Sequence, residues 1–300
     1  MTVHTLIATI TLYSSVAFSP TAFAWNMPGH MLSASIAFQV LRQESPSVIL
    51  NTSNLLAKHP WFANRWQSRL MQVAPSERDH LLFMLTARWP DDGRGTSFHR
   101  STWHYINVPF KPENEPNYVQ AQPASTSNIP TALKDNSTIL RNEPDPSAKA
   151  VALAWLFHIV GDVHQPLHTV ALFTREYPDG DRGGNEFCIR PTLNSAKMNL
   201  HKFWDDMLTR TDNYTTLRNF ATALKNRPGL AKDKLSELGP TDFDTWIKES
   251  FAAALTGLTR TARFVELLKG TQTTAPICRL SRCCQPAISR LRNTSLTGEW

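Results

Sequence analysis

The chain has 300 residues, 41% hydrophobic and 19% charged, enough for a substantial core and too apolar for general disorder. Its formal charge of +6, from 31 Lys and Arg against 25 Asp and Glu, is too small for a protein that coats nucleic acid by charge alone. Twelve glycines without a period exclude collagen-like and Gly-rich low-complexity chains.

Residues 1–24 contain no Lys, Arg, Asp or Glu. An apolar stretch from Leu6 to Phe18 leads to Pro20 and Ala22-Phe23-Ala24, the order of a secretory signal peptide cut after Ala24. A basic segment before the apolar stretch is missing, and the stretch is short for a membrane span. The expectation is a secreted or periplasmic protein that starts at Trp25 and leaves no membrane segment in the mature form. Export would place Cys188, Cys278, Cys283 and Cys284 in an oxidising compartment. A bridge between the adjacent Cys283 and Cys284 would be strained, and a bridge from Cys188 to one tail cysteine stays open.

The mature chain reads as helical. His30 to Gln43 repeats apolar residues near a 3.6 period, and Ser147 to Gly161 is apolar nearly all round, as in a helix enclosed by others. Residues 111–146 form a Pro-rich excursion around a short helix at Thr131 to Arg141, and Tyr177 to Asn185 is a Gly/Asp-rich loop. Further helices are predicted over Leu200 to Thr209, Asn213 to Lys225 and Thr241 to Leu268. The fold class is therefore all-α: one multi-helix bundle over residues 25–270. A divergent, basic, Cys-containing tail follows over 271–300, with Arg279, Arg282, Arg290 and Arg292 against Glu299 alone.

Two pairs carry chemistry. His158 and Asp162 stand four residues apart, as do His201 and Asp205, so each pair projects from one face of a helix. Asp162 lies on the most apolar helix, and no Lys or Arg occurs between Lys149 and Arg175 to neutralise it. A buried carboxylate without compensation is very costly, which makes a metal cation the economical partner. Nitrogen and oxygen donors without thiolate favour zinc.

Six motifs then occur in order. They are Trp25-Asn-Met-Pro-Gly-His30, Trp89-Pro-Asp-Asp92, Trp103-His104-Tyr-Ile-Asn107, His158-x-x-x-Asp162 with Gln165-Pro-Leu-His168, Gly183-Gly-Asn185, and Asn199-Leu-His201-x-x-x-Asp205. Over residues 25–270 the chain resembles the S1/P1 nuclease family. These zinc-dependent enzymes cleave single-stranded DNA and RNA to 5′-nucleotides and often act as 3′-nucleotidases.

The resemblance implies a buried trinuclear zinc cluster. Asp91, His104, His158 and Asp162 would hold one ion. The α-amino nitrogen and carbonyl of Trp25, with His30 and a shared Asp162, would hold a second. His168, His201 and Asp205 would hold the third. Asp91 would also orient a zinc-activated hydroxide for in-line attack on phosphorus, while Arg94 and Asn185 offset charge on the phosphoryl oxygens. Tyr105 and Asn107 would bind a base; Asn107 stands where some relatives carry Asp. Single-stranded DNA, RNA and 3′-nucleotides are the expected partners, and no obligate protein partner is evident.

The rival enzyme is a zinc-dependent phospholipase C, whose family has Glu where this chain has Asp205. A non-catalytic exported zinc- or nucleic-acid-binding protein would be favoured by a missing ligand, and none is missing. His59, His80 and His99 match no ligand position, and His164 reads as packing or as support for the ligands. Asn51, Asn136, Asn213 and Asn293 each begin an N-glycosylation sequon.

Overall fold

The computed structural model describes residues 25–269 apart from 114, 190, 192–194, 231–233 and 236–241, with side chains as far as residue 256. The expected signal peptide and the tail cysteines lie outside the described residues. The elements in chain order begin with α1 (Met27–Glu44), α2 (Pro46–Leu56), α3 (Gln67–Leu70) and α4 (Arg78–Asp92). Next come β1 (Val108–Phe110), α5 (Ile129–Asn142), α6 (Pro146–Val163) and β2 (Val170–Leu172). The last are β3 (Cys188–Ile189), β4 (Met198–Asn199), α7 (Leu200–Asp205), α8 (Tyr214–Lys225) and α9 (Phe243–Lys269). The mostly helical class holds. None of the described helices is long and apolar enough to cross a membrane.

Helix starts follow from local chemistry. Asn26, Asn128, Asp145, Asn199 and Asn213 each accept backbone N–H groups at the N-terminus of the helix that follows, and Pro28, Pro46, Pro130 and Pro146 sit in first turns. These are the residues that satisfy, or never present, the unpaired donors of a first turn. The predicted helix from Leu200 stops at Asp205 rather than Thr209, because the chain turns away at Asp206.

Helix α6 is the hub, packing against α1, α2, α4, α5 and α9. Toward α5 and α9 it buries Ile159 and Val163 among Ile129, Leu133 and Ile247. Toward α4 it buries Trp155 among Leu81, Leu85 and Trp89. On the far side of α4, Met84 joins Met31, Leu32 and Leu217, which brings α1 and α8 into the bundle.

Two small sheets position the remaining pieces. β1 pairs with β2 in parallel, Val108 opposite Val170, and β3 pairs with β4 antiparallel, Cys188 opposite Asn199. Asn136 is buried on α5 and donates to the Ala132 carbonyl at 2.8 Å, so folding withdraws that sequon from solvent.

Candidate metal centre

Three adjoining groups of donors form inside the bundle: His30, His158 and Asp162; Asp91, His104 and His158; and His168, His201 and Asp205. Every member is buried. His30 comes from the first turn of α1, Asp91 from the last turn of α4, and His158 and Asp162 from α6. His104 and His168 end short 3₁₀ turns that flank β1 and β2, and His201 and Asp205 share one face of α7. All eight side-chain ligands that the resemblance implies are thus brought together.

Asp162 stands at the junction. Its Oδ1 lies 3.2 Å from His30 Nε2, and its Oδ2 lies 3.1 Å from His104 Nδ1 and 3.2 Å from His158 Nε2. The two imidazole nitrogens are themselves 2.9 Å apart. Donors about 2.0–2.1 Å from one tetrahedral zinc stand roughly 3.3 Å from each other, so these separations suit a shared cation. Despite its closeness to Asp162, His30 Nε2 makes no hydrogen bond, and neither do Asp162 Oδ1 or Asp91 Oδ2. Buried polar atoms are normally satisfied, and a cation is what this set of donors lacks.

Tautomers agree. The Nδ1–H groups of His158 and His201 donate to the carbonyls of Ala87 at 2.7 Å and Gly183 at 2.6 Å. That of His168 donates to the His104 carbonyl. Each ring is thereby fixed with its lone pair on Nε2, the arrangement of a metal-bound imidazole oriented from behind.

Electrostatics point the same way. Burial pushes Asp91 up to about 6 against the opposing influence of His158 and Arg94, and it holds Asp162 and Asp205 well above the usual carboxylate range. Burial also lowers His30, His104 and His158, so these imidazoles are neutral near pH 7. Loading a cation must therefore expel protons from carboxyls rather than from imidazoles. Metal affinity is expected to rise with pH and to weaken as pH falls through about 6. Zinc retained after dialysis at pH 7.5, 6 and 5 should decline stepwise; equal retention at all three would contradict these assignments.

Of the other predicted residues, Arg94 joins the centre, its Nη2 at 2.6 Å from Asp91 Oδ1. Its neighbour Asp92 instead pairs with Arg88 at 2.8 Å. Trp25 is half-buried, and its indole Nε1 donates to the Gly161 carbonyl at 3.1 Å, one residue from Asp162. Tyr105 and Asn107 follow His104 directly; both are half-buried, and Asn107 takes a φ of 57°. Asn185 turns back on its own loop, its Nδ2 donating to the Arg182 carbonyl at 2.8 Å. His164 is exposed, its ring against Trp246, so it packs at the surface and does not support the ligands.

Two supporting residues carry roles that the sequence does not announce. Gln165 donates to Asp205 Oδ1 at 2.7 Å and accepts from the Leu167 N–H at 2.6 Å. The buried Asp181 carboxylate accepts N–H groups from Leu172, Gly183 and Gly184, which shapes the loop that offers its carbonyl to His201. An acid two residues before Gly-Gly is the local signal for such a turn.

A helical bundle that encloses three adjoining His/Asp groups has the donor set to hold metal ions. The sequence profile of the S1/P1 nuclease family matches residues 25–274. The chain belongs to that family.

Endonuclease 5 of Arabidopsis thaliana is 33% identical over 134 residues, 40% of this chain and 41% of that protein. Endonuclease 4 of the same plant is 44% identical over 57 residues, covering 19% and 16%. Nuclease S1 of Aspergillus oryzae is 35% identical over 75 residues, covering 25% and 23%. The matched stretches thus span less than half the length of these relatives.

Proposed function

We propose that this chain is an exported, zinc-dependent nuclease that hydrolyses single-stranded DNA and RNA to 5′-nucleotides and also dephosphorylates 3′-nucleotides. The observation that carries this reading is the enclosure of three buried His/Asp donor groups, two of them sharing His158, with the Arg94 guanidinium against Asp91. Asp91, His104, His158 and Asp162 would hold one ion, His30, Asp162 and the amino terminus of Trp25 a second, and His168, His201 and Asp205 a third. Bound zinc supplies Lewis acidity toward a phosphoryl oxygen and a nucleophile at neutral pH.

The chain's own groups do the rest. Asp91 orients the attacking water along the line of the breaking P–O bond. Arg94 turns from Asp91 to the phosphoryl oxygens and, with Asn185, offsets charge that builds there. Tyr105 and Asn107 take an unstacked base. That base has to leave a duplex to reach them, so unpaired strands are the better substrates. Removal of residues 1–24 frees the α-amino group of Trp25, a far better ligand than an amide whose lone pair is delocalised. Residues 25–270 are the catalytic unit in this reading, with 271–300 an appended tail.

The test uses purified protein starting at Trp25. It should degrade single-stranded DNA and RNA at least about tenfold faster than duplex DNA, release phosphate from 3′-adenosine monophosphate, and stop on chelation until zinc is restored. Equal rates with and without zinc would overturn the proposal, as would hydrolysis of phospholipid in place of nucleic acid.

A further inference from the structure

Helices α1 and α7 carry ligands of different groups, His30 on the first and His201 with Asp205 on the second. Asn26 joins them. Its Nδ2 donates to the Thr209 carbonyl at 2.6 Å and to Asp206 Oδ1 at 3.1 Å. Its backbone N–H donates to the Asp205 carbonyl at 3.4 Å, while its Oδ1 accepts from the Gly29 N–H at 2.8 Å and caps α1. The receiving carboxylate is itself anchored, with Lys202 Nζ at 2.8 Å and Arg210 Nη2 at 3.0 Å from Asp206.

Packing does not fill this junction. A cavity of about 300 Å³ lies beside it, walled by Met27 and Pro28 on one side and by Lys202, Asp205 and Arg210 on the other. Where apolar contact leaves room, directional polar bonds set the spacing. Trp25, one residue earlier, is tied to α6 through the Gly161 carbonyl. Successive residues of the amino-terminal arm thus hold two different ligand-bearing helices.

We propose that Asn26 is a positioning residue that yokes α1 to α7. It keeps the His30 group and the His168–His201–Asp205 group at the separation in which both retain metal. The proposal rests on the reading of the three groups as metal sites.

Asn26→Asp separates this role from helix capping. Aspartate caps a helix as well as asparagine does, but it loses the N–H given to the Thr209 carbonyl and sets a second carboxylate against Asp206. Zinc-loaded protein should lose zinc to a chelator about tenfold faster or more in this variant, the scale on which outer partners of metal ligands act. The metal-free variant should keep wild-type helicity. Adding Asp206→Asn removes the facing charge and restores a donor to the new carboxylate, and release should slow again toward wild type but stay above it, because the bond to Thr209 remains lost.

Asp206→Ala removes the partner without adding charge, and it too should speed release, by about threefold or more. Wild-type release rates in Asn26→Asp or in Asp206→Ala would overturn the yoke, as would a double variant no better than Asn26→Asp. A wild-type chain that takes up no zinc would overturn the metal reading, and the yoke with it.

Discussion

Asp162→Asn is expected to empty two of the three donor groups together. Both carboxylate oxygens of this fully buried residue are committed, one toward His30 and the other toward His104 and His158. An amide keeps the shape, loses the charge, and turns an N–H toward nitrogen donors that need a cation. On the proposed three-zinc reading, zinc per chain should fall from three toward one, and hydrolysis of single-stranded DNA should drop by about a thousandfold, the scale of losing metal-assisted charge stabilisation.

The metal-free proteins should order the other way. Burial raises the Asp162 carboxyl far above its unfolded value, so the native state keeps a proton that the unfolded chain releases. Stability of the metal-free wild type therefore declines as pH rises above the ordinary carboxylate range, and asparagine removes that loss. Without zinc at pH 7, Asp162→Asn should melt at or above the wild-type temperature. A lower midpoint, or three zinc ions retained, would refute the shared role.

Gly183→Ala is the second large expectation. Gly183 takes a φ of 63°, and an added Cβ would stand 2.3 Å from the Leu167 carbonyl oxygen, a backbone atom. Neither side can yield harmlessly. Leu167 is held by Gln165 and precedes His168, whereas Gly183 is held by Asp181 and accepts from His201. Any relief of the clash thus displaces a ligand of the third group, and that zinc should be lost with about a hundredfold fall in rate.

Gly95→Ala supplies the control, since its φ is 76° and no atom lies within 4 Å of an added Cβ. It carries the same backbone cost, about 1 kcal/mol, without touching a ligand, and should keep its full zinc content. Zinc analysis and thermal melts of both variants decide the matter. Equal zinc in the two would show that the Gly183 contact does not fix the site.

Two pairs of the candidate ligands are legible from helical spacing, and the other donors are legible only through the ordered motifs of the family resemblance. His158 with Asp162, and His201 with Asp205, face one way for the same reason that any i,i+4 pair does. Helix α4 was harder to read. Residues Leu81 to Asp91 are buried without a break, which erases the amphipathic period, and Pro90 reads as a breaker although it occupies the last turn. The supports of the site left fainter traces still. Ala87 serves His158 through a carbonyl that any residue would provide, and Gln165 meets Asp205 from 40 residues away. Asp181 carries only the faint signal of an acid before Gly-Gly, and the folded loop is what turns three N–H groups onto it.

The bond between Asn26 and Thr209 closes across 183 residues. At about 5–20 residues per second, a ribosome needs roughly ten to forty seconds to make that much chain. Through that interval His30 is already synthesised, while the α7 segment that holds its arm does not yet exist. A candidate ligand made early is therefore among the last to be secured. On the proposed metal reading, an ion arriving early would find isolated histidines that bind weakly, so secure loading belongs to the finished chain. The incomplete and the finished chain should accordingly differ in metal affinity.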